Sequence, residues 1–254
     1  MTRIVCQFSC GAASAVATKL ALAEHGRDAC VIVNAFVAEE HPDNRRFLQD
    51  CEAWFAHPIT VLRDQKYGAS AVEVFRRERF INSPSGAACT KRIKRGLLDA
   101  WKQPGDVMVL GFTAEEADRF DDFQVRNPDR PALAPLIDKG LTKADCLAMV
   151  ERAGMVLPLM YRMGYANANC IGCVKGGLGY WRAIREDFPE QFEAVAQVEA
   201  LIDNPNAWIL RHRSGPLKGQ RFPLRELPPG PAKRGEIFPS CGLVCEMAEQ
   251  EYTA

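Results

Sequence analysis

The run Val5-Cys6-Gln7-Phe8-Ser9-Cys10-Gly11-Ala12-Ala13-Ser14-Ala15-Val16 constrains this chain more than any other stretch. A short apolar segment leads to Ser9, breaks at Gly11 and continues to Glu24 without a proline or glycine, which reads as strand, tight turn and helix. Small turn residues let backbone N–H groups at a helix N-terminus approach an anion, with the helix dipole and the hydroxyls of Ser9 and Ser14 in support. The same pattern also describes an ordinary strand-to-helix connection, because short glycine motifs recur without a ligand.

The rest of the chain supplies a context for that turn. Residues 29–37 form a second β-rich run, and 42–55 has helical spacing with Phe47, Leu48, Cys51, Trp54 and Phe55 on the inner face. A third strand at 59–62, a helix at 69–79, a loop at 82–86 and a basic helix at 90–101 follow. A fourth strand at 107–112 runs into Thr113, with Glu116 placed to complete a capping box. Alternating strands and helices predict an α/β fold, a mostly parallel, doubly wound sheet with helices on both faces, spanning residues 1–140 as a nucleotide-binding domain. Residues 141–254 read as a smaller, cysteine-bearing, helical and loop-rich region. In such sheets ligands bind beyond the carboxyl ends of the strands, where strand order reverses. Ser9, Glu39, Cys89 and Thr113 each follow a strand in this reading and are expected to converge there.

Two compositional facts narrow the chemistry. Lys plus Arg equals Asp plus Glu at 32 each, so a polyanionic partner would need a local patch. Such a patch is present at 205–239, a Pro- and Gly-rich arm carrying Arg211, Arg213, Lys218, Arg221, Arg225, Lys233 and Arg234 against Glu226 and Glu236. It reads either as a solvated extension or as a contact surface for the phosphates of a nucleotide or nucleic acid. No run approaches the roughly 20 apolar residues of a membrane span, and the amino end lacks a signal-peptide profile, so a cytoplasmic location is expected.

Ten cysteines in a reducing compartment point to metal binding or sulfur chemistry rather than disulfides. Cys170-Ile171-Gly172-Cys173 and Cys241-Gly242-Leu243-Val244-Cys245 are close pairs in loop-forming sequence. A short spacer around glycine lets two thiolates face one metal, and both zinc and an iron–sulfur cluster accept four of them. Cys89, before Lys91, Arg92 and Lys94 at a helix start, has the setting of a stabilised thiolate, suited to ligation or nucleophilic attack. Cys6, Cys30, Cys51 and Cys146 lie on apolar faces and are expected in the core, Cys10 is left open, and His41 is the one histidine expected near the crevice.

With these residues assembled, the chain resembles the phosphoadenosine phosphosulfate reductase family, within the adenine-nucleotide alpha hydrolases and N-type ATP pyrophosphatases. Ser9-Cys10-Gly11-Ala12-Ala13-Ser14 sits where that group carries its pyrophosphate loop, Cys89-Thr90-x-x-x-Lys94 is similar to its cysteine and lysine segment, and Cys170-x-x-Cys173 matches a pair that helps hold a 4Fe-4S cluster in some members. The resemblance covers roughly the first 190 residues. It implies ATP or another adenine nucleotide bound by Ser9, Gly11 and Ser14, with Lys94 and Arg119 as cationic partners. It also implies a 4Fe-4S cluster, with zinc as the alternative, drawn from Cys89, Cys170, Cys173, Cys241 and Cys245. Cys89 or Cys241 would be the nucleophile, and Lys94 would assist. Ser240-Cys241-Gly242-Leu243 partly echoes the reductases' C-terminal cysteine motif, without its Glu and His. Ala13 replaces the pyrophosphatases' Asp, and the sequence after the second strand lacks an acidic turn, so a magnesium-dependent ATP cleavage is left without its carboxylates. The implied activity is sulfur transfer or reduction, on a nucleic acid as in tRNA thiolation or DNA phosphorothioate modification, or on a sulfonucleotide. It calls for a sulfur or electron donor protein. A third reading is a non-catalytic nucleotide or nucleic-acid binding component.

Overall fold

The computed structural model describes residues 2–83 and 86–237. Its first half contains β1 (Ile4–Gln7), α1 (Ala12–His25), β2 (Cys30–Ala35), α2 (Asp43–Phe55), β3 (Ile59–Leu62), α3 (Ala71–Glu78) and a hairpin of β4 (Asn82–Ser83) and β5 (Gly86–Ala87). A π-helical turn, Thr90–Arg95, continues as α4 (Gly96–Trp101), followed by β6 (Val107–Val109), α5 (Ala117–Arg126), β7 (Ala132–Leu133) and α6 (Pro135–Asp138). Then come α7 (Lys143–Arg152), α8 (Leu159–Arg162), α9 (Leu178–Asp187), α10 (Pro189–Ile202) and a hairpin of β8 (Leu210–Arg211) and β9 (Arg221–Phe222).

Five strands form one sheet in the order β3-β2-β1-β6-β7, and every neighbouring pair in it is parallel. The protein is therefore α/β with a parallel sheet. After β3 the chain returns to the far side of β1, so strand order reverses between β1 and β6, the position at whose carboxyl ends parallel sheets bind their ligands. The strand expected at 107–112 is shorter than its apolar run; Leu110 and Phe112 remain buried beyond its end.

Two compact units make up the chain. The first comprises Met1–Phe36, Pro42–Leu62 and Leu97–Arg162, and the second Val37–His41, Arg63–Gly96 and Met163–Ala254. In the first, α1 buries Ala12, Ala15, Val16, Ala17 and Ala21, and such small side chains allow close backbone approach. Gly111 uses that closeness: a Cβ there would lie 3.0 Å from both the Cα and the amide nitrogen of Ser14. Phe47, Leu48, Cys51 and Phe55 line the buried face of α2 as its spacing predicts, and Phe8 packs edge-on against Phe55 with ring centroids 5.8 Å apart. Cys6, Cys30, Cys51 and Cys146 are all buried, as expected of core thiols, and burial pushes Cys146 up to about 11. At that value it stays protonated and unreactive at neutral pH.

Candidate functional site

The turn between β1 and α1 is held by its own serines. The Ser9 amide donates to Ser14 Oγ at 3.1 Å, the Ser9 hydroxyl to the same oxygen at 3.2 Å, and Ser14 Oγ donates to the Gly11 carbonyl at 2.9 Å. The Ser14 hydroxyl thus shapes the turn, while Ser9 is exposed beside it. Gly11 is the N-cap and supplies no side-chain cap. The Ala12 amide reaches the Tyr161 hydroxyl at 3.4 Å, and among the described residues the amides of Ala13 and Ser14 have no acceptor. Unfilled first-turn amides carry the positive end of the helix dipole.

Cys10, which sequence reading left open, is buried in this turn with a left-handed backbone, φ 58°. A non-glycine residue there costs about 1–2 kcal/mol. Its sulfur accepts from Asn34 Nδ2 at 3.7 Å and Arg45 Nη2 at 3.5 Å. Asn34 is buried on β2 and also donates to the Phe8 carbonyl at 2.8 Å, while Arg45 Nη1 reaches Asn34 Oδ1 at 3.2 Å. Arg45 therefore brings a cation to the turn. Tyr161 is placed by Asp43, whose carboxylate accepts the Leu159 amide at 2.7 Å and is pulled down to about 2, chiefly by Arg46.

Beyond β6, Thr113 and Glu116 form the expected cap, with the Thr113 amide donating to Glu116 Oε2 at 3.3 Å. Arg119 follows on the same connection, paired with Glu116 and lying over the Phe112 ring at 5.4 Å. Burial lowers the pKa of its guanidinium, and Nη2 is buried without an acceptor among the described residues. Glu116 thus satisfies one end of the guanidinium and leaves the Nη2 donor unmatched, which is costly for a buried polar atom.

The second unit holds the cysteine loop. Cys170 is half-buried and Cys173 buried. Gly172 between them has φ 73°, which turns the chain as the two-residue spacer predicts. The Tyr180 hydroxyl accepts the Cys173 amide at 2.9 Å and donates to the Cys170 carbonyl at 3.2 Å. Burial raises the Tyr180 phenol well above its usual value, so it remains a donor. A Cβ on Gly176 would overlap the Tyr180 ring, so glycine there is what admits the ring. Beside Cys170, Asn169 Nδ2 is buried without an acceptor among the described residues.

Cys89 is half-exposed at the N-cap of the π-helical turn. Two of the cations expected to stabilise its thiolate are engaged with carboxylates: Arg92 with Glu78 at 2.7 Å and Lys94 with buried Glu40 at 3.4 Å. Glu40 in turn bridges to Cys170 through the backbone. Among the described residues no three His, Cys, Asp or Glu side chains meet in a metal-binding group. Cys241 and Cys245 lie outside the described residues.

Two of the residues expected to converge have local settings that the sequence did not show. Of the four residues expected to converge, Ser9 and Thr113 follow strands of the central sheet, whereas Cys89 follows the short hairpin strand β5. Glu39 is used structurally: its carboxylate accepts the Ser70 hydroxyl at 2.6 Å and the Ala71 and Val72 amides at 2.8 and 3.2 Å, capping α3. His41 packs edge-on against Phe188. No family model matches the chain, and no curated protein matches it.

The arm at 205–239 is less free than its composition suggests. Arg225 pairs with Glu193 at 2.5 Å and Arg234 with Asp187 at 2.6 Å, while Arg211 and Arg221 donate to the Gly219 and Trp208 carbonyls. Arg213, Lys218 and Lys233 remain as exposed cations. Sequence reading also missed Asn34, Arg45, Gly111 and Tyr161, which act through partners far away in the chain. No helix among the described residues is long and apolar enough to cross a membrane.

Proposed function

We propose that the chain is an adenine-nucleotide-binding, iron–sulfur-dependent enzyme of sulfur transfer or reduction, akin to the phosphoadenosine phosphosulfate reductases. Two observations carry this reading: the α1 turn that follows β1 leaves the Ala13 and Ser14 amides without an acceptor among the described residues, and the connection after the adjacent strand β6 carries Arg119, whose Nη2 is buried without one. The Ala13 and Ser14 amides and the Ser9 hydroxyl would bind a phosphate or sulfate group, Arg119 and Arg45 would balance its charge, and Ser14 and Tyr161 would fix the turn. Cys170 and Cys173 would give two of four thiolate ligands, with Asn169 Nδ2 as a donor to sulfur. Cys89, Cys241 and Cys245 form the pool for the remaining ligands and for the nucleophile. A bound 4Fe-4S cluster would supply redox-active iron and sulfide. The sulfur acceptor is read as a nucleic acid held through the exposed cations of the arm, with a separate protein as sulfur or electron donor.

Ala13 favours a second reading in which a sulfonucleotide is bound and reduced without cleavage of a pyrophosphate. Anaerobic purification with iron and sulfide analysis tests the cluster: about four of each per chain is expected from a 4Fe-4S site, whereas a colourless protein with stoichiometric zinc would remove it. Sulfite released from a sulfonucleotide, and lost in Cys241→Ser, would select the reductase reading.

A further inference from the structure

Residues 233–236 of the arm grip the cysteine loop at both of its ends. Where the loop starts, the Ala166 amide donates to the Arg234 carbonyl at 3.3 Å. The Arg234 guanidinium clamps Asp187 through two bonds of 2.7 and 2.6 Å, and Asp187 Oδ2 accepts the Tyr165 hydroxyl at 2.7 Å. Where the loop ends, the Lys233 amide donates to the Gly179 carbonyl at 2.9 Å and the Tyr180 amide donates to Glu236 Oε2 at 2.9 Å. Cys170 and Cys173 lie between these ties, and the Tyr180 ring that spans them stands on the same residue whose amide Glu236 holds.

The glycines of this turn are fitted to the carboxylate. A Cβ on Gly177 would overlap Glu236 Oε1, and one on Gly179 would lie 2.7 Å from Glu236 Oε2 and 2.7 Å from Lys233 Cβ. A carboxylate at a helix N-terminus also gains from the helix dipole, so the seat is favourable without being covalent. Local closures held by a few such bonds open independently of the global fold.

We propose that residues 233–236 are a clasp on the cysteine loop. While Glu236 sits in the α9 turn the loop is shut and Cys173 is buried; withdrawal of that carboxylate frees the loop, so that its thiols can react or take up a metal. The clasp rests on Cys170 and Cys173 as the reactive pair and stands apart from nucleotide binding, and its test reads thiol access rather than iron.

The test is pulsed N-ethylmaleimide labelling of the full-length, reduced protein under anaerobic conditions, with Cys173, Cys10 and Cys51 followed by peptide mass spectrometry at matched iron content. Glu236→Gln removes the charge, and Gly177→Ala pushes out the carboxylate by its flexible end. Both are expected to raise Cys173 labelling by about tenfold or more with Cys10 and Cys51 unchanged. Arg225→Gln, which breaks a surface pair of the same arm, is expected to label as the wild type does. Cys173 labelling at the wild-type rate in both clasp variants would overturn the proposal. An equal rise at Cys10 and Cys51 would overturn it too, because the arm would then be part of the global fold.

Discussion

Helices α1 and α9 both start from a glycine N-cap, Gly11 and Gly177, and neither cap residue offers a side chain to the first turn. At α9 the chain answers with Glu236, a carboxylate brought in from the arm. At α1 it brings no acid: Tyr161 meets one amide, and those of Ala13 and Ser14 have no acceptor among the described residues. The local chemistry is the same, and the difference lies in what the rest of the fold delivers. A helix start that the chain fills itself is a structural joint, whereas one left without an acceptor keeps its first-turn amides available to an anion.

The comparison breaks most visibly if the walls of the two turns respond alike to added bulk. Gly111→Ala drives a Cβ into the backbone of Ser14, which cannot swing aside, and is expected to cost about 1–3 kcal/mol in denaturant unfolding. Gly177→Ala meets the flexible end of Glu236 instead and is expected to cost less than Gly111→Ala in the same assay. Equal losses would mean that the α9 turn is as rigidly walled as the α1 turn.

A smaller effect separates the units by pH. Buried Glu199 on α10 accepts the Ile209 and Leu224 amides, both at 2.6 Å, and burial raises it to about 6 from an ordinary 4.5. A carboxyl raised on folding adds stability that is complete below its unfolded value and is lost as pH rises through its folded one. Lowering pH from 7 to about 4.5 is therefore expected to gain the wild type about 1.5 kcal/mol relative to Glu199→Gln. Urea unfolding curves for the two proteins that run parallel across this range would contradict it.

The sequence carried the strand, turn and helix at Ser9, the alternation that makes the parallel sheet, and the buried face of α2, because each is a periodicity or a break readable within a few residues. The four core thiols were legible for the same reason. The left-handed Cys10 and the cap that Glu39 builds on α3 were not, since nothing in their neighbours announces them. Tyr161 and Glu236 were hidden for a different cause: each meets its helix start from far along the chain, and such pairings follow from tertiary packing rather than local pattern. The pairings inside the basic arm were also out of sight, because composition does not show that Arg225, Arg234, Arg211 and Arg221 meet Glu193, Asp187 and backbone carbonyls while Arg213, Lys218 and Lys233 stay exposed.

The central claim is that the α1 turn, and not the α9 turn, receives the nucleotide. Isothermal calorimetry with ATP on the full-length protein tests it directly, using the wild type, Ser14→Ala, Arg119→Gln and Glu236→Gln. Loss of the turn-shaping hydroxyl or of the guanidinium is expected to weaken binding by about tenfold or more each, as for charge-assisted contacts, with Glu236→Gln binding as the wild type does. Binding untouched by Ser14→Ala and Arg119→Gln, or lost in Glu236→Gln alone, would contradict the assignment.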